Sequence, residues 1–384
     1  MAALAGKHLV RRLIRVVPSH KTALNQVRKY IWLSSGRNTD TGLGVKGAWW
    51  ILLLLIVVAV AGALWGFYSA SDGQIVVIYV SHDQIFSEPI LRDFEKDTGI
   101  RVRAMYDTEE TRSAGAMNRL IAEKSNPQAD VYWANEPIRA EVLRQQGIAT
   151  PYTSPSARDI PKPFRDPNGY WTGFAARARV IVAGESLDPK PTSIFSYTDP
   201  RWRGKAVIAN PLFGTTTDQI AALFVLLGDE RARAFVQGLH DYGVKVSPSN
   251  GDSADLVARG EFAFGLVDSD DVISRMKQHE RVTLIYPDQG TDEIGCFIVP
   301  NAVVLVAGAP HPEAAKKLID YLLSTETERK LALSDAGQIP LHPGVAAPPQ
   351  LRSIDTLKVA KVNYAEVAAK LQAVQPYLKS WLGF

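Results

Sequence analysis

The sequence predicts an α/β protein of two lobes standing behind a membrane-spanning helix. Three observations carry that prediction. At 384 residues the chain is too long for one average core. From Gln74 onward, apolar runs of strand period and helix period alternate. Between Lys46 and Asp72 there is no charge at all, and that stretch, GAWWILLLLIVVAVAGALWGFYSAS, exceeds the roughly 20 residues a helix needs to cross the hydrocarbon core.

The N-terminal region is set apart by its charge. The net charge of +3 sums two unlike pieces: residues 1–46 hold nine Lys/Arg against one acid, Asp40, and the remainder holds 34 basic against 39 acidic residues. A basic tail before an apolar span keeps that side in the cytoplasm, so everything after residue 72 lies outside, in a periplasm-like space. Trp49 and Trp50 at one end, and Trp65, Phe67 and Tyr68 at the other, suit interfacial belts. Ser69-Ala70-Ser71 would also suit signal cleavage, but the apolar core is longer than a signal's and sits behind 46 residues, which favours an uncleaved anchor over 47–71. The one cysteine, Cys296, rules out an internal disulfide and lies far from any N-terminal lipid site. The exported part is mildly acidic, and nothing in it suggests nucleic acid.

The exported elements follow in order. QIVVIYVS reads as a strand and PILRDFEKDTG as a helix, with Ile90, Leu91 and Phe94 at helical spacing and Gly99 as its stop. RVRAMYD, TRSAGAMNRLIAEK, ADVYWA and EPIRAEVLRQQG repeat the pattern, which argues for a parallel sheet covered on both faces. A Pro-rich break, 151–169, then crosses the surface. GFAARARVIVAG is a strand long enough to run between two lobes. KAVIANP, DQIAALFVLLG, ERARAFVQGLHDYG, SADLVARG and EFAFGLVDS form a second α/β unit. CFIVPNAVVLVAG returns as strands, and HPEAAKKLIDYLLS, TETERKLALSDAG and YAEVAAKLQAVQPYLKSWL are closing helices.

One stretch raises a chemical question. In GLVDSDDVISRM an apolar strand runs into Asp268, Asp270 and Asp271, three carboxylates within four positions. Ser269 would cap the following helix, with Asp270 and Asp271 in a first turn favoured by the macrodipole. Equally, the three form an acidic wall whose mutual repulsion a cationic ligand relieves. No G-x-S-x-G elbow, H-E-x-x-H, Walker loop or G-x-G-x-x-G is present, so the sequence reads as a non-enzyme.

Several segments together resemble the solute-binding proteins of ATP-driven (ABC-type) importers, specifically the ferric-ion-binding family. These are IVVIYVSHDQ with DTGIRV, ADVYWANEP, GFAARARVIVAG, TDPRWRGKAVIANP, FGTTTDQIAAL, ARGEFAFGLVDSDD and PHPEAAKKLIDYLLSTETERKLA, spread over 75–345. The resemblance implies a type II-like periplasmic-binding-protein fold that closes on its ligand by a hinge. It divides the chain into a basic tail (1–46), an anchor (47–71), lobe 1 (72–178 and 297–350), lobe 2 (179–296) and a C-terminal extension (351–384). Residue by residue, it implies a ligand site of His82, Glu136, Arg177, Thr215, Thr216, Asn250, Asp268, Asp270 and Asp271. Within it Asp270, Asp271, Glu136 and His82 are the candidate metal ligands, and Arg177, Thr215 and Thr216 match positions that hold a companion anion. The family's tandem tyrosines are replaced here by Asp270 and Asp271. The implied partners are a membrane permease and a metal ion carried as cargo, iron first, with no resident cofactor. A zwitterionic or phosphorylated organic solute, and service as a ligand-sensing ectodomain for another membrane protein, remain the alternatives.

Overall fold

The computed structural model describes residues 75–107 and 115–383, together with Val58. The basic tail and the expected span over 47–71 otherwise lie outside the described residues, and no described helix is long and apolar enough to cross a membrane. The chain divides after Ser71, and the elements below belong to the second unit, Asp72–Phe384.

Its first sheet starts with β1 (Ile75–Val80), β2 (Arg101–Tyr106) and β3 (Val131–Ala134), paired in parallel. The crossovers are α1 (Gln84–Thr98) and α2 (Gly115–Ala122), and α3 (Pro137–Gln145) follows β3. Gly99 ends α1 at φ 70°, a left-handed position that glycine occupies without steric cost. β4 (Ala149–Thr150) and β3 both pair antiparallel with β10 (Ile298–Val306), so the return of the chain closes this sheet.

The second sheet is built from β6 (Ala206–Ala209), β7 (Lys245–Ser247), β8 (Phe264–Asp268) and β9 (Val282–Ile285). Around it lie α4 (Gly214–Leu227), α5 (Asp229–Asp241), α6 (Asn250–Ala258) and α7 (Ser269–Lys277). β8 begins at Phe264, later than the run EFAFGLV suggests, because residues 259–263 turn back from α6. α8 (Pro312–Leu322), α9 (Thr325–Leu333) and α10 (Tyr364–Trp381) complete the chain.

One strand belongs to both sheets. β5 (Thr172–Gly184) pairs with β10 through Thr172–Ala178 and with β8 from Arg179 to Ala183, with β9 on its other edge. Twelve of its thirteen residues are buried, which fits a β-branched and alanine-rich run covered on both faces. A bulge opposite Pro300/Asn301 frees Ala176 to exchange both backbone bonds with Ile339 at 2.7 Å. Ala175, at φ 40°, is held there by its N–H bond to the Glu328 carboxylate (2.7 Å).

α10 joins the two halves a second time. Tyr364, Val367, Ala368 and Leu371 enter one apolar core, and Val374 and Leu378 enter the other, with α3 and α4 as its neighbours. Leu378→Ala is therefore expected to destabilise the protein by about 2–5 kcal/mol in urea denaturation, the range for a buried leucine whose cavity cannot collapse. Lys379→Ala, one exposed position along, is expected to stay within about 0.5 kcal/mol of the parent.

Candidate ligand site at the lobe junction

The acidic stretch after β8 sits where β5 changes sheets. Asp268 is the N-cap of α7, in extended conformation and buried. The sequence favoured Ser269 for that position. Ser269 is instead consumed by a contact 91 residues away, its hydroxyl accepting the Ala178 N–H at 3.1 Å. The Asp271 carboxylate reaches back to the Asp268 N–H (3.2 Å), and the Asp271 N–H donates to Asp270 Oδ1 (3.2 Å). Capping and ligand geometry are thus compatible here.

Asp268 is neutralised from within. Arg179, with no exposed surface, donates through Nη1 to Asp268 Oδ1 (2.8 Å), Thr215 Oγ1 (3.0 Å) and Asn250 Oδ1 (3.1 Å). Its Nη2 donates to Thr216 Oγ1 (3.1 Å) and more weakly to the Leu266 carbonyl (3.4 Å). Thr215 donates in turn to Asp268 Oδ2 (2.9 Å), and Asn250 Nδ2 to Thr215 (3.0 Å). Four residues picked out in the sequence therefore converge on an arginine that was not. The two arginines of AARAR are two apart on one strand, so they share a face, and that spacing was the available signal.

Arg177, nearly buried, spans the junction. Its Nη1 lies 3.5 Å from Asp268 Oδ2, and its Nη2 donates to the Asn135 carbonyl, at the β3–α3 connection in the first lobe, at 2.5 Å. Burial works against its charge, but Asp268, Asp270, Glu136 and Asp271 more than offset that and raise its pKa. Burial likewise opposes the ionised form of Asp268, yet Arg179 and Arg177 hold its carboxyl below the usual range. Asp270 and Asp271 are partly exposed and have less help. Burial pushes Asp270 up to about 6 against the pull of Arg177, with Asp268 and, across the junction, Asp83 adding repulsion. Burial and the charges of Asp270 and Asp268 drive Asp271 well above the carboxylate range. One oxygen from each of Asp268, Asp270 and Asp271 lies within 4.8 Å of the others, the spacing of a cation site.

Glu136 and His82 stand apart from that cluster. Glu136 occupies the N-cap of α3 but makes no capping bond, accepting Arg139 Nε at 2.6 Å instead and meeting the Asp218 carboxyl of α4. Burial and the Glu136 charge raise Asp218 well above its ordinary value. His82 stacks on Trp133 (centroids 5.4 Å apart, planes at 19°), with Nε2 3.5 Å from Gln338 Nε2. The cap of α1 is its neighbour Asp83. Arg139 and Asp218 gave no signal beyond being lone charges at helix starts.

Residues 90–358, about two-thirds of the chain, match the family described as bacterial extracellular solute-binding proteins. The chain is a member of that family. As an extracellular solute-binding protein it works outside the cytoplasm, and its two-lobe α/β fold is that of the family's solved structures. It is 27% identical to iron uptake protein A1 of Synechocystis sp. over 315 residues, 77% of this chain and 84% of the relative. It is 26% identical to a putative 2-aminoethylphosphonate-binding periplasmic protein of Salmonella typhimurium, over 75% of this chain and 80% of that one. The iron-bound HitA of Pseudomonas aeruginosa superposes with a TM-score of 0.70 at 21% identity, covering 79% of this chain and 99% of the other.

Two outcomes follow for the solute-binding protein without ligand. Replacing Arg179 by Met takes the closest ion pair from the buried Asp268 charge, leaving Arg177 at 3.5 Å and the Thr215 hydroxyl, and is expected to cost about 3–5 kcal/mol in urea denaturation. Arg179→Lys should recover little, because one ammonium cannot reach the same fan of acceptors. Asp270 has a folded-state pKa above its unfolded value, so its share of stability is complete below the ordinary carboxylate pKa and is lost as pH rises through about 6. Asp270→Asn should therefore be more stable than the parent above pH 6, by about 1 kcal/mol once partial solvation is allowed for, with the difference vanishing near pH 4.

Proposed function

We propose that this solute-binding protein captures a small hard cation, ferric iron before others, in the crevice between its lobes and delivers it to an ABC-type membrane importer. The observation that carries the reading is the gathering of the Asp268, Asp270 and Asp271 oxygens within 4.8 Å at the lobe junction. Carboxylate oxygen is the donor that Fe³⁺, Ca²⁺, Mg²⁺ and Mn²⁺ prefer, and a cation there offsets the burial and mutual repulsion that disfavour the ionised forms of Asp270 and Asp271. The iron-uptake names of several relatives support iron among these. Asp270 and Asp271 do the gripping, Asp268 completes the charge, and Arg177 faces the anion that accompanies the metal. No covalent chemistry is involved.

In this reading lobe 1 comprises 72–178 and 297–350, and lobe 2 comprises 179–296, a division supported by the change of β5 partner between Ala178 and Arg179. The apolar stretch 47–71 stays uncleaved and tethers the protein to the outer face of the inner membrane, supported by its length and by the basic residues before it. A second reading is favoured by one observation: Arg177 beside Asp270 and Asp271 offers both signs of charge, as an amine-bearing phosphonate would need, and a Salmonella relative carries a putative name of that kind.

Metal analysis after stripping with chelator and reloading with ferric citrate should return one equivalent of iron per chain. Asp270→Asn/Asp271→Asn should weaken that binding roughly a hundredfold, about 2.7 kcal/mol. A rise in Tm with 2-aminoethylphosphonate and none with iron would select the second reading. Undiminished iron uptake in the double variant would remove the site from the account altogether.

A further inference from the structure

A sizeable cavity lies away from the lobe junction. It opens on the first lobe, between α3, the Pro-rich segment 151–171 and the turn into α10, and encloses about 780 Å³. Pockets that enclose a small organic ligand span about 300–1,000 Å³. No residue of the Asp268 site lines it.

Its chemistry is defined by which groups are already spent. Trp171 and Tyr364 lie on the lining, packed edge to face at 5.8 Å and 88° and both buried, with Pro163, Pro167 and Val362 adding apolar surface. Their polar ends are engaged, Trp171 Nε1 with Glu141 (3.1 Å) and the Tyr364 hydroxyl with the Ile298 carbonyl (2.7 Å), so neither offers a free hydrogen-bonding group to the cavity. The two acids on the lining are answered as well. Glu141 is paired with Arg144 at 2.5 Å, and Asp166 accepts the N–H groups of Asn168 (2.9 Å) and Tyr170 (3.1 Å). Two cations remain. Lys162 meets no acceptor among the described residues, and Arg165 meets one carbonyl, that of Ala157 (3.1 Å). The unspent charge is positive and stands beside apolar lining.

We infer that this cavity is a second binding site, for a small organic anion with an apolar body, such as an aromatic carboxylate. The apolar side chains of the lining, Pro163, Pro167 and Val362 among them, take the body. Lys162 and Arg165 take the carboxylate by charge-assisted hydrogen bonds. The site is independent of the ligand at the lobe junction.

The probe is 2-naphthoate, titrated calorimetrically into the full-length protein, with the neutral 2-naphthylmethanol beside it. Naphthoate should bind, and the alcohol should bind at least about tenfold more weakly. Lys162→Gln/Arg165→Gln should lose about tenfold in naphthoate affinity and the charge-reversed Lys162→Glu/Arg165→Glu more, and Lys162→Gln alone should weaken binding with Tm unchanged, since of the two only Arg165 makes a bond within the protein, to the Ala157 carbonyl. Asp270→Asn/Asp271→Asn should leave naphthoate binding intact, which separates this site from the junction whatever that binds. Absence of naphthoate binding up to about 10 mM, some 2.7 kcal/mol of affinity, overturns the inference. So does equal binding of acid and alcohol, or indifference to the charge changes.

Discussion

Arg179 has no solvent to turn to, and the lobe junction is arranged around that constraint. A guanidinium removed from water needs its charge answered and its protons received. The answer comes from β8 through Asp268 and Leu266, from α4 through Thr215 and Thr216, and from α6 through Asn250. Because Arg179 rides on β5 at the residue where that strand exchanges β10 for β8, the network fixes the second sheet to the strand that both sheets share. It also fixes a division of labour among the aspartates. Asp268 is committed to the arginines and stays ionised, whereas Asp270 and Asp271 carry the electrostatic strain that a ligand can relieve.

The same strand sets the mechanics. A hinge motion must pass through β5, through the β9–β10 return, and across α10, which is embedded in both cores. Arg177 adds a polar link, since its contacts are Asp268 on one side and the Asn135 carbonyl on the other. On the first-lobe side β5 is pinned by Glu328, whose buried carboxylate accepts from Ala175, Leu341 and His342. His342 has an acceptor at each ring nitrogen, Glu328 and the Ser156 carbonyl, which favours the imidazolium despite burial. β5 is therefore held by buried polar contacts on both sides of its change of partner.

Much of this was legible in the sequence, and the gaps have physical causes. Long uniform runs read well: TGFAARARVIVAG is buried on both faces and needs no context to be seen as a strand. Short strands did not. KVS, VTLI and AT are too brief for periodicity to speak, and each exists because a neighbouring strand offers an open edge. The cap of α7 fell on Asp268 because a partner distant in sequence claimed Ser269. Thr215 and Thr216 were read toward a companion anion, and Asn250 as another residue of the ligand cleft. They meet Arg179, and nothing local distinguishes a threonine that binds a bound anion from one that solvates a buried cation. Asp218 was hidden by its helix, where one acid among apolar residues looks like ordinary amphipathicity.

On the proposed reading, in which Asp270 and Asp271 stand where the ferric-ion-binding family that the sequence resembles carries a tyrosine pair, the junction discriminates differently. Phenolate selects ferric iron by donor hardness and charge together, whereas carboxylates grip any hard cation and rely on charge density. Here that charge is metered. Arg177 remains positive beside Asp270 and Asp271, so a weakly charged cation gains little from entering. A cation of higher charge, or one arriving with an anion for Arg177 to hold, gains from both partners at once. On that reading a bound cation competes with the proton of Asp270, so affinity should rise as the pH climbs through about 6. Selectivity would then reside in the balance of Arg177 against the two carboxylates that burial and repulsion disfavour as anions.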